Sequence, residues 1–244
     1  MEALIIAAGF GSRLRDISES KPLTPVAGIP LLELGIRQSA AAGASRVVVV
    51  TGHEADVVEA ALPTLATRAG VPVVARRVDD WSKPNGFSVM AGAAAIDGDY
   101  LLMMADHIFS GTILSRLARQ GAADRGVTLA IDRRVTSPLI DPDDATWVKF
   151  GAGEFIRAIG KTIPEYDAVD CGAFLATAEL AAAIAAAISG GKSGSLSDGM
   201  QVLADAGRAA TMDVGEAWWM DVDDPRAHEL AEREAPANLP EIYG

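Results

Sequence analysis

The stretch Leu4-Ile5-Ile6-Ala7-Ala8-Gly9-Phe10-Gly11-Ser12-Arg13-Leu14, with Lys21-Pro22 soon after it, holds the residue types that phosphate chemistry needs. A buried strand breaks at two glycines, which let the backbone turn sharply and let a ligand approach where no Cβ intervenes. Amide N–H groups exposed in such a turn cradle phosphate oxygens, and Arg13 and Lys21 stand behind it. A plain strand-to-helix turn needs the same glycines; two cations so close by in a chain of net charge −12 favour phosphate binding. Two carboxylate sites lie downstream. Asp106 follows Leu-Leu-Met-Met-Ala, and Asp221 and Asp223 follow Trp218-Trp219-Met220. Either set alone can be structural; with a phosphate loop upstream they favour Mg²⁺ held by few protein ligands and several phosphate oxygens.

Two commoner glycine loops do not fit. A dinucleotide fingerprint requires a third glycine where Leu14 stands, and the second strand runs into Thr51-Gly52-His53 without a ribose-binding acid. Gly191-Lys192-Ser193 matches the end of a Walker loop, but Ala186 occupies the first glycine position and a helix, not a strand, precedes it.

The elements that must position these residues follow from pattern. Met1–Ala8, Arg46–Thr51, Val71–Ala75, Tyr100–Ala105 and Val127–Asp132 are apolar runs of strand length. They suit a sheet covered on both faces. Helical patterns at Leu31–Ala42, at Glu54–Arg68 with an interruption at Pro63, and at Phe87–Ile96 separate the first four. That alternation predicts an α/β, doubly wound, mostly parallel sheet with right-handed crossovers. Ligands of such sheets sit beyond the carboxyl ends of the strands, where the Gly9–Arg13 loop and Asp106 both fall. After about residue 131 the character changes. Thr146–Phe150 and Phe155–Gly160 read as a hairpin around Gly151-Ala152-Gly153, Ala168–Phe174 as a strand and Glu179–Ile188 as a helix. Ser189–Ser197 reads as a mobile Gly/Ser segment. Asp198–Ala206 is helical, Ala209–Val214 and Trp218–Val222 are extended, Pro225–Ala235 is helical and Pro236–Gly244 an extended tail. The Asp141–Asp144 run reads as a solvated turn, His228 as a solvated helix residue and Cys171 as a packed one.

Composition narrows the function classes. The 244 residues, half of them hydrophobic, support one large domain with ample core. A net charge of −12 argues against nucleic acid or an anionic membrane as the main partner. One cysteine and no signal-peptide pattern make a reducing cytoplasm the expectation. The three histidines form no visible catalytic dyad.

These residues carry a resemblance. Leu-x-x-Ala-Ala-Gly-x-Gly-Ser-Arg-Leu, Lys21-Pro22-Leu23, Asn85-Gly86, Asp106-His107 and Trp219-Met220-Asp221 resemble, in order, the sugar-phosphate nucleotidyltransferase (NDP-sugar pyrophosphorylase) family. Asn85-Gly86-Phe87-Ser88, Ile159-Gly160-Lys161 and Val169-Asp170-Cys171-Gly172 are most similar to its CTP:inositol-1-phosphate cytidylyltransferase branch, in which Cys171 would usually be threonine. The resemblance implies a Rossmann-like, GT-A-like fold in a single domain, with a nucleotide-binding half to about residue 130. An acceptor-binding part and metal carboxylates fill 131–244. It implies that Ala7, Ala8 and Gly9 approach the cytosine and ribose of CTP, that Gly11, Ser12 and Arg13 hold the triphosphate, and that Lys21 neutralises the α-phosphate. Gly52 and His53 would lie by the base, and Asn85, Gly86 and Ser88 by base and ribose. Asp106 with Asp221 and Asp223 would bind Mg²⁺. Lys161 and Asp170 would face the acceptor, with His107 a further candidate contact.

The implied reaction is Mg²⁺-dependent attack of the phosphate of inositol 1-phosphate on the α-phosphorus of CTP, giving CDP-inositol and pyrophosphate. Such enzymes are often fused to a membrane CDP-alcohol phosphotransferase; a chain ending at Gly244 would be a freestanding form or an isolated domain. Two alternatives remain open: another NTP with a sugar-1-phosphate, phosphocholine or phosphonate acceptor, and a non-catalytic nucleotide-sensing module. The sensor's mark would be loss of Arg13, Lys21, Asp106 or Asp221, and all four are present.

Overall fold

The computed structural model describes residues 1–121, 125–151, 153 and 155–244. The apolar run at the N-terminus forms β1 (Glu2–Ala7). A small antiparallel pair, β2 (Pro25–Val26) and β3 (Ile29–Pro30), precedes α1 (Leu31–Ala41). Then come β4 (Val47–Thr51), α2 (Ala55–Ala69), β5 (Val73–Arg77), α3 (Asn85–Ala93) and β6 (Tyr100–Met104). The strand order β6-β1-β4-β5, parallel throughout, is the doubly wound half expected from the sequence.

The sheet continues beyond β6 with mixed pairing. After β7 (His107–Phe109) and α4 (Thr112–Gln120) come β8 (Val127–Asp132), β9 (Trp147–Phe150), β10 (Ile156–Gly160) and β11 (Ala168–Ala176). β11 runs antiparallel to β6, β8 and β9, and β9 and β10 form the expected hairpin. Its turn residue Ala152 lies outside the described residues. Helices α5 (Ala178–Ser189) and α6 (Leu196–Asp205) lead to β12 (Ala209–Asp213), parallel to β8, and the chain closes with β13 (Trp219–Asp221), α7 (Pro225–Asn238) and α8 (Pro240–Tyr243). Among the described residues nine strands form one sheet, while β7 and β13 pair antiparallel outside it.

Side-chain alternation along the central strands divides the core into two layers. Ala3, Ile5, Val47, Val49, Leu101 and Met103 pack on one face; Leu4, Ile6, Val48, Val50, Tyr100 and Leu102 pack on the other. Residues of α1, α2 and α4 cover the first layer, and residues of α3, α5 and α6 the second. That two-sided cover is why these strands read as unbroken apolar runs. Among the described residues, no helix is long and apolar enough to cross a membrane.

Several sequence expectations are corrected. Helix α2 runs unbroken through Pro63, which lies on its exposed face, where water can reach the carbonyl that loses its N–H partner. Of Ser189–Ser197, the first five residues are exposed, but Gly194 and Leu196 are buried and the second half of the segment is tied down. Ser195 and Asp198 form a capping box at the start of α6, the Asp198 carboxylate also accepts from Ser193 Oγ at 2.7 Å, and Gly194 lies against Ile188 and Phe87. The tail is helical: Ala231, Ala235 and Leu239, spaced four apart, are buried and carry α7 past Pro236. His228 is not merely solvated, since its Nε2 lies 2.7 Å from the Pro25 carbonyl.

Candidate active site

Strand register brings the candidate residues to one edge of the sheet. Ala7 of β1 pairs with Thr51 of β4, and Ile6 with Met104 of β6. The residues that follow those strands, Ala8, Gly52 and Ala105, therefore emerge side by side, with Asp106 next in the chain. His53 N–H donates to the Ala8 carbonyl at 3.0 Å and Ala105 N–H to that of Ile6 at 3.0 Å.

Gly11 has φ +62°, and a Cβ placed on it would lie 2.8 Å from Lys21 Cδ. The glycine is thus required twice: for the left-handed turn and for the lysine stem laid across it. Gly9, by contrast, would present a Cβ to open space, with nothing within 4 Å. Ser12–Leu14 close a single helical turn whose Leu14 side chain is fully buried, anchoring the loop while Arg13 stays half exposed. A cavity of about 320 Å³ opens against this loop and is lined by Ala7, Ala8, Gly9, Gly11, Ser12, Arg13, Lys21, Asn85 and Ser88 among others.

Three other nucleotide candidates lie outside that lining. Gly52 packs against Trp81 and Ala8, and His53 meets the rings of Phe10 and Trp81 edge-on. Gly86 is buried against Gly194 and Ile184. Trp81 and Lys83 do line the cavity; sequence pattern gave no reason to select them, because they lie in a loop without periodicity.

The carboxylates converge through β7 and β13. Their antiparallel register sets Asp221 opposite His107, and Val222 N–H donates to the Asp106 carbonyl at 2.9 Å. His107 Nδ1 lies 2.8 Å from Asp106 Oδ1 and 3.6 Å from Asp221 Oδ1. Lys21 Nζ donates to Asp106 Oδ2 at 2.5 Å and pairs with Asp223; Arg13 pairs with Asp223 and, at 2.6 Å, with Asp144. Asp144 also holds Lys161. The acidic run read as a solvated turn therefore sends one carboxylate into the site, joining the nucleotide loop to Lys161. No local pattern marks it, since its partner Arg13 is 131 residues away.

Electrostatics follow from this packing. Burial opposes ionisation of Asp106, but Lys21 and His107 overcome it and hold the carboxyl well below the ordinary range. Burial disfavours charge on His107 as well, yet Asp221, Asp106 and Asp170 push it up to about 9. Asp170, buried and only partly compensated by the Gly172 N–H at 2.7 Å and by His107, is pushed up to about 6. Gly172, with φ +75°, leaves its Cβ position to the His107 ring.

A divalent metal fits this arrangement. Oxygen or nitrogen atoms of Asp106, His107 and Asp221 lie within 4.8 Å of one another, as do those of Asp144, Asp221 and Asp223. Asp221 Oδ1 is buried without a hydrogen-bond partner among the described residues, and burial pushes the Asp221 carboxyl up. An orphaned carboxylate oxygen between two clusters of hard ligands is what a bound cation would satisfy.

A second cavity, of about 260 Å³, lies on the other side of these carboxylates and is lined by His107, Asp144, Lys161, Asp170, Gly172 and Asp221 among others. The two cavities share Arg13, Asn85, Met104, Asp106 and Asp223 as a common wall. Their shared wall also carries the Arg13–Asp223 ion pair.

Behind the site, Trp219 is buried and stacks on His107 with centroids 6.2 Å apart, while its Nε1 donates to Asp132 Oδ2 at 2.8 Å. Asp132 also takes Arg134 Nε at 3.0 Å. Burial works against the Asp132 anion, but the Arg134 and Trp219 donors lower its pKa. A lowered folded-state pKa gives stability that is present above the unfolded value and lost as pH falls through the folded one. Asp132→Asn should therefore cost about 2 kcal/mol near pH 7. In urea titrations the gap to wild type should close below about pH 4; a gap that stays constant would disprove the charge-based account.

Comparison with known proteins agrees with the geometry. The profile of the MobA-like NTP transferase domain matches residues 3–201. Over 232 residues the chain is 34% identical to a protein of Rubrobacter xylanophilus named bifunctional IPC transferase and DIPP synthase, covering 94% of this chain and 51% of that protein. A protein of the same name from Aquifex aeolicus is 28% identical over 233 residues, 95% of this chain and 51% of its own length. The chain thus spans about half the length of the curated relatives it matches. The solved inositol-1-phosphate CTP transferase from T. maritima shares the fold with a TM-score of 0.80 at 24% identity, over 95% of each chain. With the family matched over most of its length and the glycine loop, cations and carboxylates gathered at one sheet edge, the chain belongs to the MobA-like NTP transferase domain family.

Proposed function

We propose that the protein is a Mg²⁺-dependent cytidylyltransferase that forms CDP-inositol and pyrophosphate from CTP and inositol 1-phosphate. The observation that carries nucleotidyl transfer is the wall shared by two cavities, one against the glycine loop and one against Lys161 and Asp170. The choice of CTP and inositol 1-phosphate is supported by likeness to the IPC transferase relatives over 94–95% of this chain.

In this reading the triphosphate lies on Gly9–Arg13, and its α-phosphorus faces the shared wall. An ionised oxygen of the acceptor phosphate forms the new P–O bond while the bond to the leaving pyrophosphate breaks. No proton has to move, so no general base is required. The residues act by positioning and by neutralising charge: Arg13 and Lys21 on the triphosphate, Lys161 on the acceptor phosphate, Asp170 and His107 on acceptor hydroxyls. Asp106, Asp221 and Asp223, with Asp144 now added, would hold Mg²⁺, which supplies further positive charge to the phosphates. The activated alcohol phosphate so made is what a CDP-alcohol phosphotransferase would consume.

A panel of NTPs against inositol 1-phosphate, sugar 1-phosphates, phosphocholine and phosphonates, read by pyrophosphate release, tests the assignment. CTP with inositol 1-phosphate should give the highest kcat/KM. Turnover of UTP or dTTP with glucose 1-phosphate, and none with CTP, would replace the inositol reading.

A further inference from the structure

The second cavity carries seven carboxylates against three arginine and lysine cations, with His107 a fourth cation already held beside Asp106 and Asp221, so an anionic acceptor entering it meets an excess of negative charge. Two of the cations are already engaged: Arg13 by Asp144 and Asp223, and Lys161 by Asp144. The third is Arg226, which is exposed and has no ion-pair partner among the described residues.

Its place in the fold is fixed from several sides. Asp224 caps α7 by accepting from the Ala227 N–H at 2.7 Å, and Pro225 occupies the first helical position, which puts Arg226 in the first turn. The helix is held below by buried Ala231 and Ala235 and at its flank by the Glu232 carboxylate, which accepts from the Ala27 N–H at 2.8 Å. Arg226, Ala227 and Leu230 then face the cavity from one side of the helix. Arg226 lines this cavity and not the one against the glycine loop.

We propose that Arg226 binds the phosphate of the acceptor and is what makes this acidic cavity accept an anionic substrate; this rests on the reading that a phosphorylated acceptor enters there. A guanidinium matches two phosphate oxygens at once and stays charged at any working pH. Lys161 reaches the same phosphate only by loosening its pair with Asp144, so the uncompensated cation an incoming phosphate meets is Arg226.

The test is steady-state kinetics of Arg226→Ala and Arg226→Lys on the full chain, using whichever phosphorylated acceptor of the panel the wild type turns over best. Arg226→Ala should raise KM for that acceptor about tenfold or more, the effect of one charge-assisted hydrogen bond. KM for the nucleotide and the thermal midpoint should not move, and Arg226→Lys should recover only part of the loss. Inhibition by the unphosphorylated acceptor, free inositol for example, should be equal in wild type and variant. Calorimetry with inorganic phosphate supplies a readout independent of turnover, and binding should weaken in Arg226→Ala. An unchanged acceptor KM with unchanged phosphate binding would overturn the inference, as would an equal loss of affinity for nucleotide, acceptor and inositol. Absence of turnover by the wild type with every acceptor would instead remove the cytidylyltransferase reading, while the phosphate titration still decides the role of Arg226.

Discussion

Lys21→Ala is expected to lower kcat by a factor of about 100 or more, the effect of removing one preorganised charge from a transition state in which two anions meet. The lysine is suited to that role by its surroundings. Its side chain is only 10% exposed, its stem lies over Gly11, and its ammonium pairs with both Asp106 and Asp223. A cation so placed is already desolvated and aimed at the shared wall, so none of its charge is spent reorganising water during reaction. The same geometry yields a second signature. Without Lys21, Asp106 and Asp223 face each other with less compensation, so the variant should melt lower than wild type in the presence of a chelator. Added Mg²⁺ should then raise its midpoint by more than it raises that of the wild type, because the ion takes over neutralisation of the same carboxylates. Turnover close to wild type would show that the phosphate-loop account is wrong; lost turnover with no change in metal response would place Lys21 on the nucleotide alone.

How much of this was legible in the sequence differs from element to element. The central strands were, because two-sided burial leaves continuous apolar runs such as Val47–Thr51 that only a covered sheet explains. The glycine loop was legible for a similar reason: Gly11 must adopt positive φ and clear the Lys21 stem, and few residues but glycine can do both. Asp106 could be placed because it follows a strand whose end must face the ligand side. Asp144 could not. It lies in Asp141-Pro142-Asp143-Asp144, whose local pattern is that of any polar turn, and only tertiary contact with Arg13 and Lys161 distinguishes it. The pairing of β7 with β13 was equally hidden, since strands of three residues carry almost no periodic signal, yet it is this register that sets Asp221 opposite His107. The tail misled for a different reason. Pro236 disfavours helix locally, but burial of Leu239 beside Ala235 decides the outcome, and tertiary packing overrides propensity.

In the proposed metal centre, Asp221 is the residue on which binding should turn. Among the described residues it is the one common to the two groups that could hold an ion, Asp106 with His107 and Asp144 with Asp223, so its loss breaks both at once while loss of any other leaves one group whole. Asp221→Asn keeps the size and one oxygen of the side chain but removes the charge that a hard divalent cation requires. The variant should therefore lose its thermal response to Mg²⁺ and fall in kcat on the order of 1,000-fold, near the upper end for a single electrostatic contribution. Asp144→Asn should keep the metal response through Asp106, Asp221 and Asp223, and lose activity less steeply. Stability without metal should move the opposite way from activity. Asp221 is a buried carboxylate with an orphaned oxygen and a carboxyl pushed up by burial, so the metal-free protein bears the cost of keeping it charged. A neutral amide lifts that cost, and Asp221→Asn should melt at or above the wild-type midpoint in chelator. Calorimetric titration with Mg²⁺, alongside melts with and without chelator, measures both arms. Metal affinity unchanged in Asp221→Asn, with activity lost only in Asp144→Asn, would move the metal centre to the carboxylates nearer the nucleotide loop.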